Sequence, residues 1–342
     1  MGQLVDGKWQ NAAELSAADR FERADSTFRQ WINPDSGFAP EPERYHLYAA
    51  WACPWAHRTL IMRALQGLED TITVSFTHPL MLDHGWTFLP GDGVVPDTVN
   101  DKQYLYEIYQ LADPDYTGRV TVPVLWDKQK RTIVNNESAD IMRMFNSAFV
   151  ELELQQTHTD YYPEEKRQDI DEINARIYDT VNNGVYKAGF AGSQTAYDEA
   201  VEALFDTLRW LETHLATHRF LLGAESTEAD WRLLPTLLRF DAIYAVHFKC
   251  SHKRIIDYPN LWAYTRDLYQ HPGIADTFNL QLTMQHYYGS HQRLNPRGLL
   301  PMPPELAFDA PHRRHLMHQS RAMQESEDTV VGPRIGAPDV NP

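Results

Sequence analysis

The segment Cys53-Pro54-Trp55-Ala56-His57-Arg58 lies where the pattern of a strand gives way to the pattern of a helix. Residues 45–50 alternate as a half-buried strand does, and apolar residues recur at helical spacing from Ala56 to Leu65. Proline suits the first position of a helix because it has no N–H to leave unpaired, so Cys53 becomes the N-cap. Unpaired amides and the helix dipole favour a thiolate there. We therefore predict a reactive cysteine at position 53.

Cys53 has no thiol partner nearby in the sequence. Position 56 is alanine, and the other cysteine, Cys250, stands near the end of a predicted helix where nothing local activates it. A disulfide formed at Cys53 must therefore be opened by a thiol from outside the chain. Two such cysteines make no disulfide framework, which is typical of the reducing cytoplasm, and we expect a cytoplasmic location.

Composition limits the possible partners. A chain of 342 residues is long enough for two domains. A net charge of −16 argues against non-specific binding of nucleic acid. No stretch of the sequence approaches 18 uninterrupted apolar residues, so we expect no span of a membrane. Because the chain carries no glycine-rich phosphate motif, we also expect no tightly bound cofactor, and we expect no metal.

The pattern divides the chain into four parts. Residues 1–42 carry scattered tryptophan and phenylalanine and are predicted to be an extension packed on the body. Residues 43–150 combine strand and helix patterns, whereas residues 160–300 are almost entirely helical in pattern. Residues 303–342 are rich in proline and charge, which predicts a loosely packed or disordered tail.

Within these parts the periodicity predicts individual elements. Strands are expected at 44–50, 72–77, 120–126 and 132–134, and helices at 54–66, 138–145, 164–185, 195–216, 228–248 and 258–270. The first strand, helix and strand form a βαβ unit, which implies a parallel pair. Residues 78–118, rich in Gly, Pro, Asp and Tyr, are predicted to be a long loop, and loops of that length are usually functional or specific to a fold.

These features together resemble the glutathione transferase fold, in which an α/β thioredoxin-like domain (βαβ-ββα) is followed by an all-helical domain. Within that fold the chain is most similar to the glutathionyl-hydroquinone reductases, also called the Xi class. The resemblance covers about residues 40–300 and is carried, in family order, by Ala52-Cys53-Pro54-Trp55-Ala56-His57-Arg58, Thr121-Val122-Pro123-Val124-Leu125-Trp126-Asp127, Asn135-Asn136-Glu137-Ser138, Asn182-Asn183-Gly184-Val185-Tyr186-Lys187-Ala188-Gly189-Phe190, Thr227-Glu228-Ala229-Asp230-Trp231-Arg232 and His286-Tyr287-Tyr288.

The resemblance implies an activity with glutathione as cosubstrate. Such an enzyme removes glutathione from glutathionyl-hydroquinones through a mixed disulfide between Cys53 and glutathione, and yields hydroquinone and glutathione disulfide. It also implies a homodimer. Two alternatives stay open. A glutaredoxin-like thiol transferase or dehydroascorbate reductase shares the first half-reaction, and a non-catalytic binding module could use the same fold.

Pro123 interrupts a strand pattern, and the sequence leaves two explanations for it. It stands in an edge strand, or it follows a cis bond that turns the Val122 backbone outward to pair with an extended ligand. The resemblance favours the second, because in this family the residue before that proline bonds the cysteinyl part of glutathione.

Further candidate residues would bind the two ends of glutathione. Glu137 and Ser138 begin a predicted helix, where the hydroxyl and amides could hold a carboxylate and Glu137 an ammonium group, although they could equally be a simple helix cap. An indole at position 86 offers a flat apolar wall, and a guanidinium at position 119 a fork for a carboxylate. By resemblance, glutathione is contacted by Trp86, Arg119, Val120, Thr121 and Val122.

Three tyrosines of the helical half complete the set. Tyrosine is usually a packing residue, and only the resemblance assigns these three a place over the cysteine. It implies that Tyr186 gives and takes a proton, and that Tyr244 and Tyr287 lower the pKa of the thiol by hydrogen bonding. Tyr288 adjoins Tyr287, and the motif leaves open which ring faces the cysteine.

Overall fold

The computed structural model describes residues 2–11, 20–153, 157 and 159–317. Its strands are β1 (Gln3–Val5), β2 (Lys8–Gln10), β3 (Tyr45–Ala49), β4 (Thr73–Phe76), β5 (Gly118–Arg119), β6 (Val124–Asp127) and β7 (Thr132–Asn135). Its helices are α1 (Pro54–Leu65), α2 (Leu105–Ala112), α3 (Ser138–Ser147), α4 (Arg167–Ile177), α5 (Gly184–Gly189), α6 (Gln194–His214), α7 (Glu228–Arg239), α8 (Ala245–His247), α9 (Pro259–Tyr269) and α10 (Leu280–Ser290).

The main sheet has the strand order β4-β3-β6-β7. Strands β3 and β4 are parallel and are joined by α1, whereas β6 pairs antiparallel with both β3 and β7. Helix α3 follows β7 and packs against α1. This βαβ-ββα order, followed by helices α4 to α10, confirms the predicted α/β thioredoxin-like domain and all-helical domain.

Strand β3 is buried along its whole length, although its alternating pattern predicted a half-buried strand. Tyr48, on this strand, packs on Phe88 and donates a hydrogen bond to Asp97 at 2.9 Å, so the segment after β4 covers that face. His46 is buried on the same face, where Thr73 Oγ1 and Ser75 Oγ bond its two ring nitrogens. On the other face Tyr45 is fully buried and packs on Phe149, so both faces of the strand are covered.

The segment 78–118 is more ordered than a long loop. It contains helix α2, which the sequence analysis missed. Asp97 is buried and accepts hydrogen bonds from the backbone N–H groups of Val99, Asn100 and Lys102, which fixes the turn before this helix. Because the stretch is held by one buried carboxylate rather than by periodicity, its shape could not be predicted from the pattern.

The predicted strand 120–126 is shorter in the structure. Only residues from Val124 onward join β6, and the bond between Val122 and Pro123 is cis. The Tyr109 hydroxyl donates to the carbonyl of Thr121 at 2.9 Å and accepts from its N–H at 3.3 Å, so these groups are not available to a neighbouring strand. Residues 120–123 therefore form a connection between β5 and β6, and residues 121–123 of it line a cavity.

Two of the predicted long helices are divided in the structure. A wider π-helical turn, Tyr178–Asn182, separates α4 from α5, and a second, Phe240–Tyr244, separates α7 from α8. Such turns are frequent at functional sites. Helix α10 lies beyond the predicted helices and carries Tyr287.

The two ends of the described chain pack on the body. In the N-terminal extension, β1 pairs with β5, and Leu4 and Ile32 are buried. Near the other end, Phe308 is buried, and the guanidinium of Arg314 donates to the carbonyl groups of Leu215 and Arg219. Loose packing therefore does not hold for residues 308 and 314, and positions 318–342 of the predicted tail lie outside the described residues. No helix in the part of the chain that the structure describes is both long and apolar enough to cross a membrane.

We expect Asp230→Ala to destabilise the helical domain. This fully buried carboxylate accepts from the N–H and the hydroxyl of Thr227, from the N–H of Leu221 and from the Tyr264 hydroxyl, so its removal leaves four buried donors without this acceptor. The expected loss in the free energy of unfolding is about 2–4 kcal/mol, measured by urea denaturation. The control Asp206→Ala removes an exposed carboxylate of α6 and should cost less than about 0.5 kcal/mol. Equal midpoints for the two variants would contradict the prediction.

Candidate active site

Cys53 lies at the point where the sequence analysis predicted it, as the N-cap of α1. Its Sγ accepts a hydrogen bond from the N–H of Ala56 at 3.5 Å, and Pro54 occupies the first helical position. The thiol donates to the carbonyl of Val122 at 3.4 Å. The side chain is half-buried and borders a cavity of about 320 Å³ between the two domains, so an outside molecule can reach the sulfur.

The protonation of Cys53 differs from the expectation. Burial raises the pKa of the thiol above its ordinary value, and the amides of Ala56 and Trp55 and the charges of Arg239 and Arg23 lower it by less. The helix terminus thus favours the thiolate as predicted, but removal from water outweighs that effect. In the free protein the sulfur is held as a thiol that donates to Val122.

Arg239 fixes the backbone that leads into Cys53. This fully buried guanidinium, at the end of α7, donates to the carbonyl groups of Trp51 at 2.9 Å and Ala52 at 3.0 Å. It also bonds Nδ1 of His57 at 2.9 Å, whose Nε2 bonds Thr277 Oγ1. Sequence reasoning missed this residue, because an arginine at a helix C-terminus usually faces water.

The backbone of Val122 faces the same cavity. Its carbonyl receives the thiol hydrogen of Cys53, and its N–H has no hydrogen bond to any described residue. Val122 is 4% exposed, so that N–H is a buried donor that an extended ligand could pair with. This fits the second of the two explanations for Pro123.

The three tyrosines form one hydrogen-bonded chain. The hydroxyl of Tyr287 lies 2.6 Å from that of Tyr186 and 3.1 Å from that of Tyr244. Tyr186 and Tyr287 line the cavity, whereas the Tyr288 hydroxyl donates to the carbonyl of Ala242, so Tyr287 is the ring that faces the site. Burial is the largest cause of a raised pKa for Tyr186, so its hydroxyl stays protonated at neutral pH.

The tyrosine hydroxyls bond to one another rather than to Cys53. No tyrosine hydroxyl in the described ranges donates to the sulfur, and the hydroxyls of Tyr244 and Tyr287 bond to other tyrosines. That these two tyrosines lower the pKa of the thiol stays a prediction from the resemblance.

Glu137 and Ser138 begin α3 at another side of the cavity. Glu137 is the N-cap and accepts from the N–H of Ala139 at 3.1 Å, while its other oxygen accepts from Ser26 at 3.0 Å. The Ser138 hydroxyl bonds the Glu137 carboxylate at 3.4 Å. A carboxylate acceptor and a helix N-terminus thus lie side by side, so the pair can hold both charges of a zwitterion.

Of the remaining residues that were predicted to bind glutathione, all but one line the cavity. Trp86, Arg119 and Thr121 line the cavity with Val122, but Val120 is buried outside its lining. The Trp86 indole is stacked on His286 with ring centroids 4.8 Å apart, which holds it flat. Arg119 has no ion-pair partner within the described residues, and its half-buried guanidinium is available for an anion.

Several lining residues were not among the predicted site residues. The N-terminal extension contributes Phe21 and Arg23, and helices α1 and α10 contribute Trp55 and His286. The extension has no periodicity that could indicate a site, so sequence reasoning could predict that it packs but not where. Cys250 is fully buried and is not part of this lining, and its N–H donates to the carbonyl of Tyr244 at 3.0 Å, in agreement with a structural role.

Comparison with known proteins agrees with this geometry. Residues 52–148 match the family model for the glutathione S-transferase N-terminal domain, and residues 194–267 match that for the C-terminal domain. The fold and the cysteine at the helix N-terminus thus define a glutathione transferase of the cysteine type.

Two similar curated proteins are glutathionyl-hydroquinone reductases. PcpF from Sphingobium chlorophenolicum is 55% identical over 306 residues, which cover 89% of this chain and 96% of that protein. YqjG from Escherichia coli is 52% identical, with 92% and 98% covered. The glutathione-bound structure of YqjG matches with a TM-score of 0.85, and covers 92% of this chain and 99% of that one. A Xi class enzyme from Natrialba magadii matches at 0.87 with 47% identity, over 92% of this chain and 97% of that one. The chain belongs to the glutathionyl-hydroquinone reductases, the Xi class of glutathione transferases.

The raised pKa of Cys53 predicts how its reactivity depends on pH. The thiolate fraction is small at neutral pH and grows as the pH rises through that pKa. We expect the alkylation rate with iodoacetamide to give a higher apparent pKa than a short cysteine peptide in the same buffer. The rate is measured in the Cys250→Ala variant, so that Cys53 is the only thiol that can react. Burial already raises the pKa of Cys250 to about 12, so this substitution should change the rate little. An apparent pKa below that of the peptide would mean that the amides and guanidinium groups outweigh burial.

Proposed function

We propose that the protein removes glutathione from glutathionyl-hydroquinones through a mixed disulfide between Cys53 and glutathione. The observation that best supports this proposal is a single thiol at a helix N-terminus. The thiol borders the same cavity as the hydrogen-bonded tyrosines and the backbone N–H of Val122, which has no partner among the described residues. Membership of the glutathionyl-hydroquinone reductases supports the same substrate class.

The glutathione part of the substrate lies, in this proposal, across Val122. The N–H of Val122 pairs with the cysteinyl portion, and Glu137 and Ser138 hold the charged γ-glutamyl end. Arg119 takes the glycyl carboxylate, and Trp86 packs on the peptide. Thr121 and Val120 shape the segment that leads into this contact.

In the first step Cys53 attacks the thioether sulfur. The new sulfur–sulfur bond joins Cys53 to glutathione, and the carbon–sulfur bond breaks with its electron pair going to the aromatic carbon. Cys53 reacts as the thiolate, so its thiol gives up a proton before the attack. Tyr186 protonates the aromatic carbon while Tyr287 and Tyr244 hold its hydroxyl in place, and the proton released by Cys53 restores the Tyr186 hydroxyl through water. The aromatic carbon is thereby reduced, and the two sulfurs are oxidised.

In the second step an outside glutathione opens the mixed disulfide. Its thiolate attacks the glutathione sulfur, so glutathione disulfide leaves and Cys53 is restored. No resolving thiol is needed in the chain, which agrees with alanine at position 56 and with the burial of Cys250. Glutathione is thus a cosubstrate rather than a bound cofactor.

We also propose that the protein is a homodimer of the cytoplasm. Its two cysteines are both free thiols, as expected in a reducing compartment, and the dimer is carried over from the family. For the domains we propose 43–150 as the glutathione-binding unit and 160–300 as the helical unit, with 1–42 as an extension and 303–342 as a tail.

Cys53→Ser tests the nucleophile. Because a serine hydroxyl is not ionised near neutral pH, the variant should retain less than about 1% of wild-type hydroquinone release, while the fold survives. Release of hydroquinone and of glutathione disulfide is followed by liquid chromatography with a glutathionyl-hydroquinone and excess glutathione. Cys250→Ala is the matched control and should keep most of the activity, since that thiol does not line the cavity.

Two results would contradict this assignment. Turnover above a few per cent in Cys53→Ser would remove Cys53 as the nucleophile. If the wild type releases no hydroquinone but Cys53 is glutathionylated by glutathione disulfide, the protein is a general thiol transferase instead.

Trp86→Ala tests the glutathione wall. Because the indole packs on bound glutathione in this proposal, its loss should raise the KM for glutathione roughly fivefold or more and change kcat by less than about twofold. Steady-state kinetics with varied glutathione measures both constants. Trp31→Ala removes a half-exposed indole outside the cavity lining and should leave both unchanged. A larger effect on kcat than on KM would place Trp86 in the chemical step.

A further inference from the structure

The N-terminal extension brings one guanidinium, that of Arg23, into the cavity. It lies 4.5 Å from the ring centroid of Trp55 and 5.3 Å from that of Tyr186. Its Nε donates to Asn183 Oδ1 at 3.1 Å, which orients the plane of the group. Its two terminal nitrogens make no hydrogen bond and no ion pair within the described residues. The guanidinium of Arg23 therefore has a fixed orientation, and its two terminal nitrogens can donate to a ligand.

The other arginines of the extension differ from Arg23. Arg20 pairs with Glu199 at 2.6 Å, and Arg29 pairs with Asp140. Neither lines the cavity. Only Arg23, among the described arginines of this extension, holds its charge in the cavity without a carboxylate partner.

The proposed binding mode of glutathione leaves Arg23 unused. Glutathione has two carboxylates, which are assigned to the start of α3 and to Arg119. The positive charge of Arg23 is near enough to Arg119 to contribute, after burial, to the lowered pKa of that guanidinium. The carboxylates of Asp25 and Glu137 also line the cavity, but neither pairs with Arg23 within the described residues, so this guanidinium stays open to a further negative charge.

The position of Arg23 indicates which part of the substrate carries that charge. In the proposed chemistry the aromatic ring lies between Cys53 and Tyr186, because one group attacks the sulfur and the other protonates the carbon. Phe21 and Phe190 stack with Tyr186, at centroid distances of 6.0 and 6.3 Å, and extend an aromatic wall on that side. Arg23 lies against this wall, so its fork faces the space for the hydroquinone rather than for the peptide.

We propose that Arg23, with Trp55 and Tyr186, forms a subsite for a carboxylate on the aromatic ring of the substrate. The enzyme then favours glutathionyl-hydroquinones that carry such a group. A guanidinium binds a carboxylate through two parallel hydrogen bonds, and stacking on an indole holds it planar. This inference rests on the proposed function and specifies its substrate class.

A pair of substrates that differ in charge tests the subsite. The glutathionyl adducts of 2,5-dihydroxybenzoic acid and of its methyl ester share the ring and the thioether. We expect Arg23→Gln to lower kcat/KM for the acid about 10- to 100-fold and for the ester less than about threefold. Arg23→Lys should recover part of the loss, because it keeps the charge without the fork. The control Arg20→Gln should leave the ratio of acid to ester unchanged.

The ratio of kcat/KM for the acid to kcat/KM for the ester separates a carboxylate subsite from other roles of Arg23. If Arg23→Gln lowers kcat/KM equally for both substrates, or raises the KM for glutathione with both, then Arg23 acts on Cys53, on Tyr186 or on glutathione, and the inference is wrong. If the wild type turns over neither adduct, the proposed function fails instead. Calorimetry with 2,5-dihydroxybenzoate then decides the subsite alone: tenfold weaker binding to Arg23→Gln supports it, and equal binding overturns it.

Discussion

The structure depends on one buried guanidinium, that of Arg239, which joins the two domains at the active site. It belongs to the helical domain, yet it binds the carbonyl groups of Trp51 and Ala52, immediately before Cys53. Burying a charge is costly unless polar partners surround it, and here carbonyl oxygens and the neutral ring of His57 supply them. The strand-to-helix turn that holds the thiol is therefore fixed from the other domain.

This arrangement explains why the sulfur can be both protected and reactive. Burial keeps Cys53 protonated in the free protein, although the amides of Ala56 and Trp55 and the charges of Arg239 and Arg23 favour the thiolate. The cavity beside the sulfur is lined by the guanidinium groups of Arg23 and Arg119 and by the carboxylates of Asp25 and Glu137. Groups that favour the thiolate are therefore already in place around the protonated sulfur.

The helical domain contributes the other half of the chemistry. The π-helical turn after α4 precedes Tyr186, and the one after α7 contains Tyr244. Helix α10 places the Tyr287 hydroxyl within hydrogen-bond distance of both. Burial raises the pKa of all three hydroxyls, and the hydrogen bonds between them give each buried hydroxyl a partner. The tyrosines bond to each other rather than to the sulfur, so their geometry suits the aromatic leaving group.

The sequence by itself determined the elements that local chemistry controls. Proline after Cys53 and the apolar spacing that follows specified a helix with the thiol at its N-terminus, and apolar periodicity specified the start of α7 at position 228. Tertiary structure alone decided the rest, because it depends on contacts between distant residues. Only in the folded structure is Arg239 buried and Arg23 part of the cavity lining. The fold also places Tyr287 rather than Tyr288 towards the site, and at Cys53 the loss of hydration raises the pKa by more than the helix N-terminus lowers it. No spacing in the sequence encodes how deeply a side chain is buried, and burial is the largest cause of the raised pKa of the Cys53 thiol.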